Sequence, residues 1–207
     1  MDFGYGKFSQ DTQVIRNSLT HLDALALNSR FSEHVKTTKA LALVWAAAAV
    51  ESFWKEYLKE LCSRVMAAPV NKRRKNMSAA SVFYFDRLGS MGEGKALNRW
   101  HRLAEFFEVI PLSSSLVPSI PYDGRTVRPE HFEIVWKIFR LDGPQFPSPV
   151  HKQDLNTLAT QRNDVAHGTL SPGVVGGTFT IGDLRVRIGR LEDVVTHCVL
   201  AAQAKWP

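Results

Sequence analysis

Residues 40–61 read ALALVWAAAAVESFWKEYLKEL, and this stretch decides the fold class. Its apolar positions Leu43, Val44, Ala47, Val50, Trp54, Tyr57, Leu58 and Leu61 recur at steps of three and four, the period of one buried face of an α-helix. The pattern runs back to Ser32 or Glu33 and forward to Ala68. Pro69 then ends it, because proline lacks an N–H and clashes with the preceding turn. The uninterrupted apolar run, Ala40 to Val50, stops at Glu51 and is too short to span a bilayer.

Working outward, further helical stretches are expected. Asp11 to about Phe31 carries Val14, Leu19, Leu22, Leu25 and Leu27 on an imperfect amphipathic face. Short helices are expected from about Lys95 to Val109, from Pro129 to about Arg140 and from about Lys152 to His167, with Pro129 suited to a first helical position. A last helix begins at Asp183 or Gly189 and reaches Ala204. Pro111, Pro118, Pro121 and the serines at 113–115 mark a loop. The connection from Gly168 through Gly182, rich in glycine and containing Pro172, leaves room for a small hairpin. No βαβ alternation and no internal repeat is evident. The expectation is one all-α domain over residues 1–207, a helical bundle with an irregular central insertion at 69–128 and a small hairpin before the last helix.

The chain has 207 residues, 26 Lys and Arg against 20 Asp and Glu, and a formal net charge of +6. A chain of this length can bury a core without disulfides or metals. The surplus of cations favours polyanionic partners, nucleic acid first, though an inert basic surface would look the same. The two cysteines, Cys62 and Cys198, read as buried free thiols of a reducing compartment. Met1 to Gln10 lacks the apolar segment of a secretory signal, so a cytoplasmic protein is expected.

The second informative stretch, residues 155–170, reads LNTLATQRNDVAHGTL. Leu155, Leu158, Ala159 and Arg162 fall at i, i+3, i+4 and i+7, so Arg162 sits where the pattern wants a core residue. A buried arginine needs a carboxylate, a phosphate or an interface; otherwise it snorkels outward on its alkyl stem. Asn163 and His167, four apart, share a face. Arg162 and His167 are about 140° apart around the helix, so they converge only through the length of the arginine or with help from a second subunit. Gly168 is placed to end the helix in a left-handed conformation. That leaves His167 facing the negative end of the helix dipole, a setting that suits a general acid and equally suits a structural cap. Glu51, seven residues from both Val44 and Leu58, points toward the buried side, to meet Arg162 or His167, or else Lys55 at i+4.

The run Arg162-Asn163-Asp164-Val165-Ala166-His167-Gly168, together with a long early helix bearing Glu51, resembles the signature of HEPN domains, in particular the RiboL-PSP-type branch. The resemblance covers residues 40–61 and 150–205. The same Arg-to-His spacing occurs at Arg16–His21, with an Asn after the Arg, and a looser one at Arg125–His131. The Ala-His-Gly ending and the long helix that follows single out Arg162. Family membership would imply a metal-independent endoribonuclease that needs no cofactor and cleaves by attack of the ribose 2′-hydroxyl. His167 would handle protons, Arg162 would neutralise the phosphorane, Asn163 would orient the site and Glu51 would position Arg162. It would also imply a homodimer, RNA as substrate, a setting in toxin–antitoxin or phage-defence systems, and an antitoxin protein as a partner. A HEPN module that only binds RNA or a protein is the alternative, and a P-loop nucleotide-binding protein, on Gly89 to Ala96, is a lesser one.

Three further signals carry less. Lys72, Arg73, Arg74 and Lys75 form a cationic run that either contacts RNA backbone or is a solvated loop. Gly89 to Ala96 nearly matches a P-loop, but Ala96 stands where the magnesium-binding hydroxyl should be; Lys95 could still hold RNA phosphate. No histidine or cysteine has a neighbour at zinc-like spacing, and Trp45, Trp54, Trp100, Trp136 and Trp206 read as core or interface residues.

Overall fold

A computed structural model describes residues 2–83, 118, 120, 122, 124 and 126–207. The expected helix at 95–109, the Gly89–Ala96 turn, Lys95, Trp100 and Arg125 lie outside the described residues. Within them every regular element is helical: α1 (Tyr5–Ala26), α2 (Ser32–Ala67), α3 (Val70–Lys75), α4 (Met77–Ala80), α5 (Pro129–Phe139), α6 (Pro149–Ala166), α7 (Pro172–Gly177) and α8 (Ile181–Lys205), with short 3-10 turns at Ser29–Phe31 and Ser81–Phe83. The chain is all-α, and no helix among the described residues is long and apolar enough to cross a membrane.

The long helix α2 is the axis of the fold, and α1, α4, α6, α7 and α8 all pack against it. Its inward face, including Leu43, Ala47, Val50, Trp54, Tyr57, Leu58 and Leu61, is buried as the spacing predicts. Aromatic rings close the core around it. Trp54 lies 4.3 Å from Phe132 of α5, and the Tyr57 hydroxyl donates to the Cys198 carbonyl of α8 at 3.1 Å. Cys62 and Cys198 are buried free thiols.

In α1 the buried face is Phe8, Thr12, Ile15, Leu19 and Leu22, not the set containing Val14 and Leu27, which are 60% and 91% exposed. The helix starts earlier than expected, at Tyr5. Asp2 accepts the N–H groups of Gly4 and Gly6, and Gly4 at φ 81 abuts Glu56 of α2. The connection before the last helix is not a hairpin. Ser171 accepts the Val174 N–H as an N-cap and Pro172 takes a first-turn position, so the glycine-rich segment winds into α7 instead. The reason is packing. A Cβ on Gly176 would stand 1.8 Å from the Lys36 carbonyl oxygen of α2, so glycine here permits direct contact between two helix backbones.

The segment expected as an irregular middle begins with two short helices, α3 and α4. The cationic run forms α3, and it is neither a loop nor uniformly solvated. Arg73 is buried and its guanidinium donates to the carbonyls of Met66 and Ala68, closing the C-terminal end of α2. The Lys72 ammonium lies 5.0 Å over the Trp206 ring. Arg74 and Lys75 are exposed.

The helix pair that carries the site is held by charge as well as by apolar contact. Asp154 of α6 is buried between Arg187 and Arg190 of α8, at 2.9 and 2.7 Å. The start of α8 is fixed by a reciprocal cap, in which Thr180 accepts the Asp183 N–H and Asp183 accepts the Thr180 N–H.

Candidate functional site

Helix α6 ends where the sequence places its stop. His167 is the capping residue, its N–H bonded to the Asn163 carbonyl at 2.9 Å, and Gly168 turns the chain at φ 68. Only glycine takes that conformation without strain. His167 is therefore exposed at the helix terminus while Arg162 and Asn163, a turn earlier, are half-buried.

These three side chains line one pocket of about 560 Å³. Its opposite wall comes from the segment that leads into α5: Gly124, Thr126 and Arg128 before the helix, Glu130 and His131 in its first turn. Arg128 has extended backbone, as a residue before proline must, and this aligns the lead-in against the end of α6. Arg162 and His167 are thus brought together within a single chain, even though they are five residues apart in sequence.

The contacts inside the pocket are specific. The Thr126 hydroxyl donates to Asn163 Oδ1 at 2.8 Å, and Arg162 Nη1 donates to the same oxygen at 3.4 Å. With two donors on its oxygen, the Asn163 amide has a defined orientation. Arg162 Nε lies 3.6 Å from Glu51 Oε1 of α2. That separation is an ionic contact and not a hydrogen bond, and Glu51 Oε1 is buried with no hydrogen-bond partner among the described residues. Glu51 thus faces Arg162, while Lys55 is exposed. On the opposite wall the Arg128 N–H donates to His131 Nδ1 at 2.9 Å, and the edge of Tyr122 meets the His131 ring at 5.6 Å.

None of Lys72, Arg73, Arg74 or Lys75 lines this pocket. Thr126, Arg128 and Glu130 belong to no motif in the sequence, and His131 carries only its loose spacing from Arg125. The available signal is Pro129, which marks a helix start and so sets Arg128 and His131 at the positive end of α5. Among the described residues no group of three His, Cys, Asp or Glu side chains is arranged to hold a metal ion.

Comparison with family models, with curated proteins and with solved structures finds no match to the chain.

Chemically, the pocket sets two guanidinium groups, two imidazoles and an oriented amide around a space open to solvent. Guanidinium groups bind phosphate oxygens through paired N–H donors. Imidazole is the side chain best suited to move protons near neutral pH. The arrangement can hold a phosphodiester and assist proton transfer at it.

Proposed function

We propose that the protein is a HEPN-type endoribonuclease that acts without a metal ion. The observation that carries this reading is the convergence of Arg162, Asn163 and His167 on one solvent-open pocket, with Glu51 behind the arginine. In the proposed reaction the ribose 2′-oxygen attacks the adjacent phosphorus and the bond from phosphorus to the 5′-oxygen breaks. The 2′-hydroxyl proton is lost and a proton is delivered to the departing 5′-oxygen, leaving a 2′,3′-cyclic phosphate and a 5′-hydroxyl. His167 handles one of these protons. Arg162 balances the charge that builds on the phosphorane, a contribution that is large when the donor is preorganised. Asn163, its oxygen already committed to Thr126 and Arg162, presents its amide N–H groups to the substrate. Glu51 limits where the Arg162 side chain can go.

The site is proposed to work as part of a homodimer in the cytoplasm. An antitoxin protein is the partner that the HEPN resemblance implies. A module that binds RNA without cutting it is the second reading, and the Thr126–Asn163–Arg162 network favours it to the extent that those bonds serve packing alone. Incubating labelled RNA with the protein in excess EDTA, beside His167→Ala and Arg162→Ala, separates the two. Cleavage by the unaltered protein only is the expected result. Binding without cleavage, unchanged in both variants, supports the silent module, and cleavage abolished by EDTA contradicts the proposed chemistry.

A further inference from the structure

Among the described residues, each half-buried or buried arginine other than Arg128 meets a carboxylate or a main-chain carbonyl: Arg162 has Glu51, Arg187 and Arg190 share Asp154, and Arg73 caps α2. Arg128 is half-buried, lines the pocket and, among the described residues, has no carboxylate partner. Among the described residues its side chain makes one hydrogen bond, a long and exposed one, Nη1 to Asn156 Oδ1 at 3.5 Å. A guanidinium that lines a solvent-open pocket with no carboxylate beside it is available to an anionic ligand.

Its position says which ligand group. Asn156 precedes Asn163 by seven residues on α6, roughly 10 Å along the helix axis at about 1.5 Å per residue. A guanidinium held near Asn156 is therefore displaced from the Arg162–Asn163–His167 cluster by more than one phosphodiester can bridge. The first-turn N–H groups of α5 add partial positive charge beside it. The acidic side chain of the lining, Glu130, is exposed and its charge is screened by water.

We infer that Arg128 binds a phosphate flanking the scissile one, so that the pocket reads two consecutive phosphates of a single RNA strand. This rests on the ribonuclease reading and adds a substrate-length requirement to it. A strand that lacks the flanking charge is a poor substrate, and Arg128 is the reason.

The test is a cycle between protein and substrate. Oligoribonucleotides carrying a neutral methylphosphonate at one linkage at a time on either side of the cut are cleaved by the unaltered protein, by Arg128→Gln and by Arg128→Lys. One flanking methylphosphonate should raise KM roughly tenfold, the scale of one charge-assisted contact. Arg128→Gln should raise KM similarly on natural RNA and add nothing on that modified strand. Arg128→Lys, which keeps the charge without the planar fork, should fall between. Unchanged thermal melting of both variants excludes a folding effect. Losses that simply add, or an Arg128→Gln protein as active as the unaltered one, overturn the inference while leaving the ribonuclease intact. If Arg128→Gln instead loses only binding of an acidic protein partner, the RNA assignment is overturned. An unaltered protein that neither binds nor cuts RNA fails the parent reading itself.

Discussion

The Thr126 hydroxyl donates a 2.8 Å hydrogen bond to the side-chain oxygen of Asn163, across 37 residues of sequence. This bond ties the lead-in of α5 to the last turn of α6 and sets the orientation of the Asn163 amide. Thr126 is itself buried, so the bond forms where water competes poorly.

Thr126→Val keeps the shape of the side chain and removes the donor. It should cost about 1 kcal/mol of stability, the usual net worth of one hydrogen bond. Cleavage should fall further than stability does, roughly tenfold or more in kcat, because misplaced catalytic groups are penalised steeply. Single-turnover kinetics beside urea denaturation checks both halves of this expectation.

Glu51→Gln removes the charge opposite Arg162 with little change of shape. Glu51 Oε1 is buried and the two side chains do not hydrogen-bond to each other, so relief of a buried charge offsets the lost attraction and the stability change should be about 1 kcal/mol. Activity should drop because Arg162 loses its anchor. In a double-mutant cycle, Glu51→Gln should have almost no further effect once Arg162 is Ala. A full additional loss would show that Glu51 acts elsewhere.

Gly176→Ala tests the contact that replaces the expected hairpin. Its Cβ would meet the Lys36 carbonyl oxygen at 1.8 Å and the carbonyl carbon at 2.7 Å. Both are backbone atoms of a long helix, so α7 must lift away. A loss of about 3 kcal/mol, at the upper end for overpacking, is expected in the urea midpoint.

The fold and the site were legible to different degrees, for physical reasons. The ends of α2, α5 and α6 follow from Pro69, Pro129 and Gly168, residues whose backbone chemistry acts locally. The convergence of Arg162, Asn163 and His167 follows from their place at one helix end. The register of α1 was not legible, because Leu27 continues an apolar pattern past the helix end at Ala26 while the polar Thr12 lies on the buried face. Gly176 reads as turn chemistry until α2 is seen against it. Arg73 looks like a solvated cation and is in fact a cap for α2. Thr126, Arg128 and His131 reach the pocket only through tertiary approach, which no local spacing reports.

The buried thiols predict the behaviour of stability at high pH. Burial pushes Cys62 up to about 12 and Cys198 higher still. In the unfolded chain both ionise near the ordinary thiol value of 9.0. Above that pH the folded state binds more protons than the unfolded one, so these groups make stability fall as pH rises from about 9 through about 12. Below pH 9 they contribute no slope. Cys62→Ala and Cys198→Ala should each flatten the decline measured by urea denaturation between pH 9 and 11, whatever they do to stability at pH 7. An unchanged slope in both would contradict the burial of these thiols.

The central claim is that the ribose 2′-oxygen attacks a phosphate held at Arg162, Asn163 and His167. The most direct measurement uses one oligoribonucleotide with a single 2′-deoxy sugar placed immediately 5′ of the cleaved linkage. The account predicts no cleavage at that linkage, normal binding, and 2′,3′-cyclic phosphate ends on the product of the unmodified strand. Cleavage of the deoxy linkage at the normal rate, or products that carry 5′-phosphate ends, would contradict it.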